Sequence, residues 1–131
     1  MKNIKSVILL FVLFTVSNAV FAQTTPKVIA VVSKAKWCPI CVKNEGRIVQ
    51  EVLSALDVNQ FNLVVNDLSD KETKTASSGK LKVLGLKVSD FKATGNISFV
   101  DSKSKKVIST ISVAESSDKI KEAFAVSLNK K

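Results

Sequence analysis

The feature that most constrains this chain is the position of its only two cysteines. Cys38 and Cys41 are three residues apart, and they follow a run of small or β-branched residues at positions 28–32. Such a run is typical of a strand buried on both faces. From Cys41 onward, apolar residues such as Ile48 recur at helical spacing, with polar residues, Arg47 among them, on the other face. The pair is therefore predicted at a strand-to-helix junction.

The rest of the chain continues this alternation. The patterns predict further strands at residues 61–65, 96–101 and 106–113. They predict a helix over 71–84, capped by Ser69 with Glu72, and a last helix that carries Ile120, Phe124 and Leu128 on one face. No element is predicted for residues 87–94. The order β-α-β-α-β-β-α predicts an α/β fold, a mixed four-stranded sheet with helices on both faces.

Length and composition exclude several kinds of chemistry. A chain of 131 residues is predicted to form one domain, and it has no histidine. Histidine-dependent triads, Cys-His pairs and His-ligated metal sites are excluded, and two cysteines are too few for a four-thiolate site. We therefore expect no metal and no bound cofactor. Any chemistry must come from the two thiols or from carboxylates.

Residues 1–22 have the layout of a secretory signal peptide. Lys2 and Lys5 precede an apolar run over residues 7–16, and Val20 and Ala22 fit the −3 and −1 positions of a cleavage site before Gln23. The alternative, an uncleaved anchor, is disfavoured because the run is shorter than the roughly 20 residues a membrane span needs. We expect a domain at residues 23–131 that is periplasmic or secreted from a bacterium, without a stable membrane anchor.

The positive charge does not point to nucleic acid. The formal net charge is +9, but the lysines are scattered and the single arginine is Arg47. Nucleic-acid grooves favour arginine interleaved with stacking aromatic side chains. A lysine-rich surface, with no nucleic-acid partner and a monomeric chain, is the expectation.

The position of the cysteines favours redox chemistry. At a helix N-terminus, free N–H groups and the helix dipole favour a thiolate at Cys38, and Pro39 suits the first helical position. Cys41, one turn deeper, should be more buried. We expect Cys38 to attack a disulfide as the nucleophile and Cys41 to resolve the mixed disulfide. The pair could instead be a structural disulfide, a two-cysteine metal site or an incidental pair in a binding domain.

The chain resembles the thioredoxin-like superfamily, specifically its exported members. Trp37, Cys38, Pro39 and Cys41 carry the resemblance, together with the strand before them, the helix after them and the element order. It implies a thiol–disulfide oxidoreductase whose partners are protein thiols and disulfides and an unidentified redox partner. In that family the tryptophan forms an apolar platform beside the reactive sulfur; the alternative for Trp37 is an ordinary half-buried aromatic side chain.

Two departures from the family pattern stand out. Thr94 and Gly95 occupy the place where the family has a cis-proline, and we expect the bond before Gly95 to be trans. Gly95 could instead be only a loop glycine. Val32 replaces a buried acid that assists the resolving thiol, and Glu45 could substitute for that acid or be an ordinary solvated residue.

The expected substrate-binding residues surround the pair. They are Trp37, Pro39, Ile40, Thr94 and Gly95. Lysines near the pair either favour the thiolate or belong to the general surface; they are Lys34, Lys36 and Lys43. A reductase or exchange role is preferred over a strong oxidant, because Pro39-Ile40 offers no further donor to the thiolate. The alternative is a non-catalytic binding domain with an incidental Cys-X-X-Cys pair.

Overall fold

The computed structural model describes residues 25–57 and 59–130, so the predicted signal peptide and its cleavage site lie outside the described residues. The strands are β1 (Val28–Lys34), β2 (Phe61–Asp67), β3 (Asn96–Asp101) and β4 (Val107–Ser112). The α-helices are α1 (Pro39–Arg47), α2 (Lys71–Val83) and α3 (Ser117–Asn129). The predicted order of elements is therefore confirmed.

The four strands form one mixed sheet in the order β2-β1-β3-β4. β1 pairs with β2 in parallel, and β3 pairs antiparallel with both β1 and β4. β1 is thus an inner strand, as its continuous apolar run predicts, and its first four residues are fully buried. The sheet places the carboxyl end of β1, and the cysteine pair that follows it, beside the start of β3.

Alternate residues of β1 enter two separate cores. Val28 and Ala30 pack into the core on the side of α3 and of residues Ile48–Val52, which follow α1. There Phe124 contacts the rings of Phe61 and Phe99 edge-to-face at centroid distances of 5.1 and 4.7 Å. On the opposite face of the sheet, Leu81 of α2 packs against side chains of three strands. These side chains are Ile29, Val31, Val64 and Val100. Helices on both faces are therefore confirmed.

Three local features differ from the sequence-based expectations. The helix after the cysteines changes to a π-helical turn at Ile48–Val52 and a 3₁₀ turn at Leu53–Ala55. The segment left unassigned contains a 3₁₀ turn, Val88–Phe91, which buries Phe91 under the sheet. The capping box of α2 belongs to Asp70 and Thr73 rather than to the predicted pair, because Asp70 is the residue directly before the helix.

Within the described residues, no helix combines the length and the apolarity needed to cross a membrane.

Candidate active site

Cys38 and Cys41 form a disulfide across the first turn of α1, with their Cα atoms 5.3 Å apart. Cys38 is the residue before the helix, with an extended backbone (φ −90°, ψ 108°), and Pro39 is its first residue. The Cys38 carbonyl accepts bonds from the N–H groups of Cys41 and Val42, each at 3.1 Å. The prediction that the pair lies at a strand-to-helix junction is confirmed.

The electrostatic surroundings of this helix start favour negative charge on sulfur. The first turn of α1 contains no acidic residue, so nothing on the helix opposes the positive end of its dipole there. The side chain of Cys38 makes no capping hydrogen bond. A thiolate released at Cys38 would therefore lie at the positive end of the helix dipole.

The expected difference in burial between the two cysteines is wrong. Cys38 is 5% exposed and Cys41 is 7% exposed, so both cysteines are buried from solvent. They pack in a small cluster with Ala35, bordered by Leu68. Gly95 also lies close to this pair, since a Cβ at residue 95 would be 3.7 Å from Cys38 Sγ.

Trp37 lies on the surface beside the disulfide. Its side chain is 63% exposed, which excludes the alternative of an ordinary half-buried aromatic residue. Its Nε1–H donates a hydrogen bond to the carbonyl of Leu68 at 3.2 Å, and this bond orients the ring. Ile40, the second residue of α1, is also exposed. The site therefore presents apolar surface next to a buried disulfide.

Gly95 lies directly against the cysteine pair, one residue before β3. Its φ is +78°, a conformation that proline cannot adopt and that other residues rarely adopt, and residues 25–57 and 59–130 contain no cis peptide bond. The expected trans bond is confirmed. Both backbone groups of Gly95 are used inside the fold: its N–H donates to Ser33 O at 2.8 Å, and its carbonyl accepts from Val113 N–H at 2.9 Å. Thr94 beside it is half-buried.

A small apolar cavity of about 80 Å³ lies behind the second cysteine. Val32, Cys41 and Glu45 all line it, so Val32 borders the same space as Cys41. Glu45 forms an ion pair with Lys34 at the end of β1, and about half of its side chain is exposed. Glu45 is thus a partly solvated residue that nevertheless borders the same cavity as Cys41.

The lysines near the site are partly balanced by Asp67, the residue paired with Lys34 in the sheet. Hydrogen bonding from Ser69 holds the pKa of Asp67 below its usual value, and the charges of Lys34 and Lys36 act in the same direction. Part of the positive charge of these lysines therefore acts on the Asp67 carboxylate. Lys43 is exposed on α1.

Sequence reasoning missed the residue that fixes the far end of α1. Arg47, placed on the polar face, is half-buried, and its guanidinium donates to Ser117 Oγ, Asn44 Oδ1 and the carbonyls of Val113 and Glu115 at 2.7–2.9 Å. The one signal in the sequence that could have identified this residue is that Arg47 is the only arginine. Among the described residues, no group of three or more His, Cys, Asp or Glu side chains is arranged to hold a metal ion.

Comparisons with known proteins bear on the fold. No family model and no curated protein matches the chain. Among solved structures, the thioredoxin-like superfamily protein SPOA0173 matches 84% of this chain and 85% of its own at 14% identity, with a TM-score of 0.51. Tryparedoxin I from Leishmania major matches 82% and 78% at 10% identity (TM-score 0.49), and Trxlp from Edwardsiella tarda matches 77% and 84% at 18% identity (TM-score 0.45).

The sheet order, the element order and this structural likeness agree on one architecture. The chain has a thioredoxin-like fold that carries a Cys-X-X-Cys disulfide at the start of its first helix.

Proposed function

We propose that this protein is an exported thiol–disulfide oxidoreductase that reduces or exchanges disulfides of other proteins. The observation that carries the proposal is the Cys38–Cys41 disulfide at the N-terminus of α1, beside the exposed ring of Trp37 and against Gly95. The pair closes a loop of only a few residues, so the chain-entropy model gives it little structural value. Its placement suits reaction better than stabilisation.

The reaction balances with the two cysteines alone. In the reduced protein, the Cys38 thiolate attacks one sulfur of a substrate disulfide, and the other substrate sulfur leaves as a thiolate. Cys41, after losing its proton, attacks Cys38 Sγ and displaces the second substrate sulfur. The substrate gains two electrons and two protons, and the protein ends in the disulfide state seen in this structure. A dithiol redox partner must then return the two electrons.

The order of attack follows from the helix. Cys38 precedes the first helical residue, where the dipole stabilises a thiolate, whereas Cys41 lies within the first turn and its N–H donates to the Cys38 carbonyl. The residues between them, Pro39 and Ile40, supply no side-chain hydrogen-bond donor. The stabilisation of the thiolate is therefore limited to the helix, which supports a reductase or exchange role over a strongly oxidising one.

Insulin-disulfide reduction tests the proposal. Cys38→Ser should abolish turnover. Cys41→Ser should keep the first attack and accumulate a mixed disulfide that mass spectrometry detects. Val42→Ala, a change at an exposed residue of the same helix, is the control and should retain activity. Full activity of the Cys38→Ser variant would refute the proposal.

The burial of Cys38 favours a second candidate, a non-catalytic binding domain whose disulfide is incidental. In that case, serine at both cysteine positions would leave partner binding and the host phenotype unchanged. The oxidoreductase predicts that both are lost together with disulfide reduction.

Export is part of the proposal and has its own test. N-terminal sequencing of protein from a periplasmic extract should begin at Gln23. A start at Met1 in the membrane fraction would instead support an uncleaved anchor.

A further inference from the structure

Gly95 and Ile40 share one small space beside the Cys38 sulfur. A Cβ placed on Gly95 would lie 2.5 Å from Ile40 Cδ1, 2.9 Å from Ile40 Cγ1 and 3.7 Å from Cys38 Sγ. Non-bonded carbon atoms do not approach to the first of these distances without one of them moving. The end of the Ile40 side chain therefore occupies the position that a side chain at residue 95 would take.

Ile40 and the Cys38 sulfur therefore both border the space over Gly95. Cys38 is only 5% exposed although it precedes the helix, while Ile40 beside it remains 41% exposed. A side chain that borders both the sulfur and solvent can turn away without opening the core. Once Ile40 has turned, Gly95 presents no side chain, and a polypeptide backbone can approach the sulfur closely there.

We infer that Ile40 is a gate over Cys38, and that Ile40 and Gly95 together select substrate segments in which the cysteine is flanked by small residues. The inference rests on the proposed function and deepens it. A cysteine between small residues enters the space over Gly95, beside the Cys38 sulfur, after the Ile40 side chain turns away. When the incoming cysteine has bulky, β-branched neighbours, these side chains contact the displaced Ile40 side chain. Such a cysteine reacts more slowly.

The test uses one half of the exchange reaction, with two cysteine tripeptides, Gly-Cys-Gly and Val-Cys-Val, as probes. The peptide thiolate attacks Cys38 Sγ, the bond between the two protein sulfurs breaks, and its electron pair leaves on Cys41 Sγ, which takes a proton from water. Alkylation traps the freed Cys41 thiol, and mass spectrometry gives the rate of mixed-disulfide formation. β-Mercaptoethanol serves as the small reference thiol.

The wild-type protein should react faster with the glycine-flanked peptide than with the valine-flanked one. In Ile40→Ala this ratio should fall by roughly three- to tenfold, because the valine-flanked peptide no longer has to force the Ile40 side chain further from its preferred rotamer than the glycine-flanked peptide does. Val42→Ala, at a 60% exposed position on the same helix, should keep the wild-type ratio. An unchanged ratio in Ile40→Ala would overturn the inference.

A second measurement tests the shared space without any substrate. Gly95→Ala should lower the thermal midpoint, because alanine meets both the contact with Ile40 and the strain of a positive φ. In the Ile40→Ala background the contact is gone and only the strain remains, so the same change should lower the midpoint less. Equal losses in both backgrounds would overturn the packing argument.

The measurements separate failure of the proposed function from failure of the gate. If the wild-type disulfide reacts with none of the three thiols, the proposed function fails, and the gate fails with it. If every variant reacts but the peptide ratio never changes, the proposed function survives and only the gate is overturned.

Discussion

Replacing Arg47 by alanine should destabilise the protein and loosen the helix that carries the cysteine pair. The guanidinium joins the end of α1 to the loop after β4, through the carbonyls of Val113 and Glu115, and to Ser117, the first residue of α3. It also holds Asn44 on its own helix. Bonds from a charged donor contribute about 1.5–3 kcal/mol each when the partner stays buried.

The net loss is smaller than the sum of these bonds, because Arg47 is only half-buried and water can reach the freed carbonyls. We expect Arg47→Ala to lose about 2–3 kcal/mol of unfolding free energy. With a urea m-value of about 1–3 kcal/mol/M for a small domain, the midpoint should fall by about 0.7–3 M.

Urea denaturation of the oxidised protein, followed by circular dichroism, measures this loss. Arg47→Lys should recover only part of it, because an ammonium group lacks the planar fork that reaches several acceptors. Lys43→Ala, at an exposed position of the same helix, should change stability by less than about 0.5 kcal/mol. A loss below about 0.5 kcal/mol in Arg47→Ala would refute the reasoning.

Three further changes test other parts of the structure. The Ser69 hydrogen bonds lower the pKa of Asp67 from 3.8. The ionised carboxylate therefore stabilises the fold above that pH, and this contribution is lost as the pH falls through the folded pKa. Asp67→Asn should lose stability at pH 7 and converge with the wild type in acid, as denaturation at several pH values would show. Glu45→Gln should change stability by less than about 1 kcal/mol, since its pair with Lys34 is partly exposed, and a larger loss in urea would contradict this. Phe124→Ala should lose about 3–5 kcal/mol, because it empties the centre of the aromatic cluster; calorimetry measures the loss, and one under about 1 kcal/mol would contradict it.

The local patterns in the sequence were sufficient to predict the element order. The continuous apolar run at positions 28–32 predicted the inner strand β1, and the regular spacing of Ile120 and Phe124 predicted the buried face of α3. The position of Cys38 before Pro39 predicted the start of α1. Each of these signals depends on neighbouring residues in the chain, which is why periodicity and capping rules detect them.

Contacts between distant segments were not predictable in the same way. Arg47 resembled a solvated helix residue because its acceptors lie 66–70 positions further along the chain. Periodicity also cannot place Gly95 against Ile40 and close to the Cys38 sulfur. The π-helical turn at Ile48–Val52 likewise has no distinct sequence pattern, because it contains the same apolar spacing as an α-helix.

The pKa of the Cys38 thiol in the reduced protein tests the central claim most directly. Thiolate absorbance as a function of pH, measured on the Cys41→Ser variant, isolates this one group. Stabilisation by the helix N-terminus predicts a value clearly below the roughly 8.5 of a free cysteine. A value at or above that of free cysteine would mean that burial outweighs the helix, and that the first sulfur is not prepared for attack.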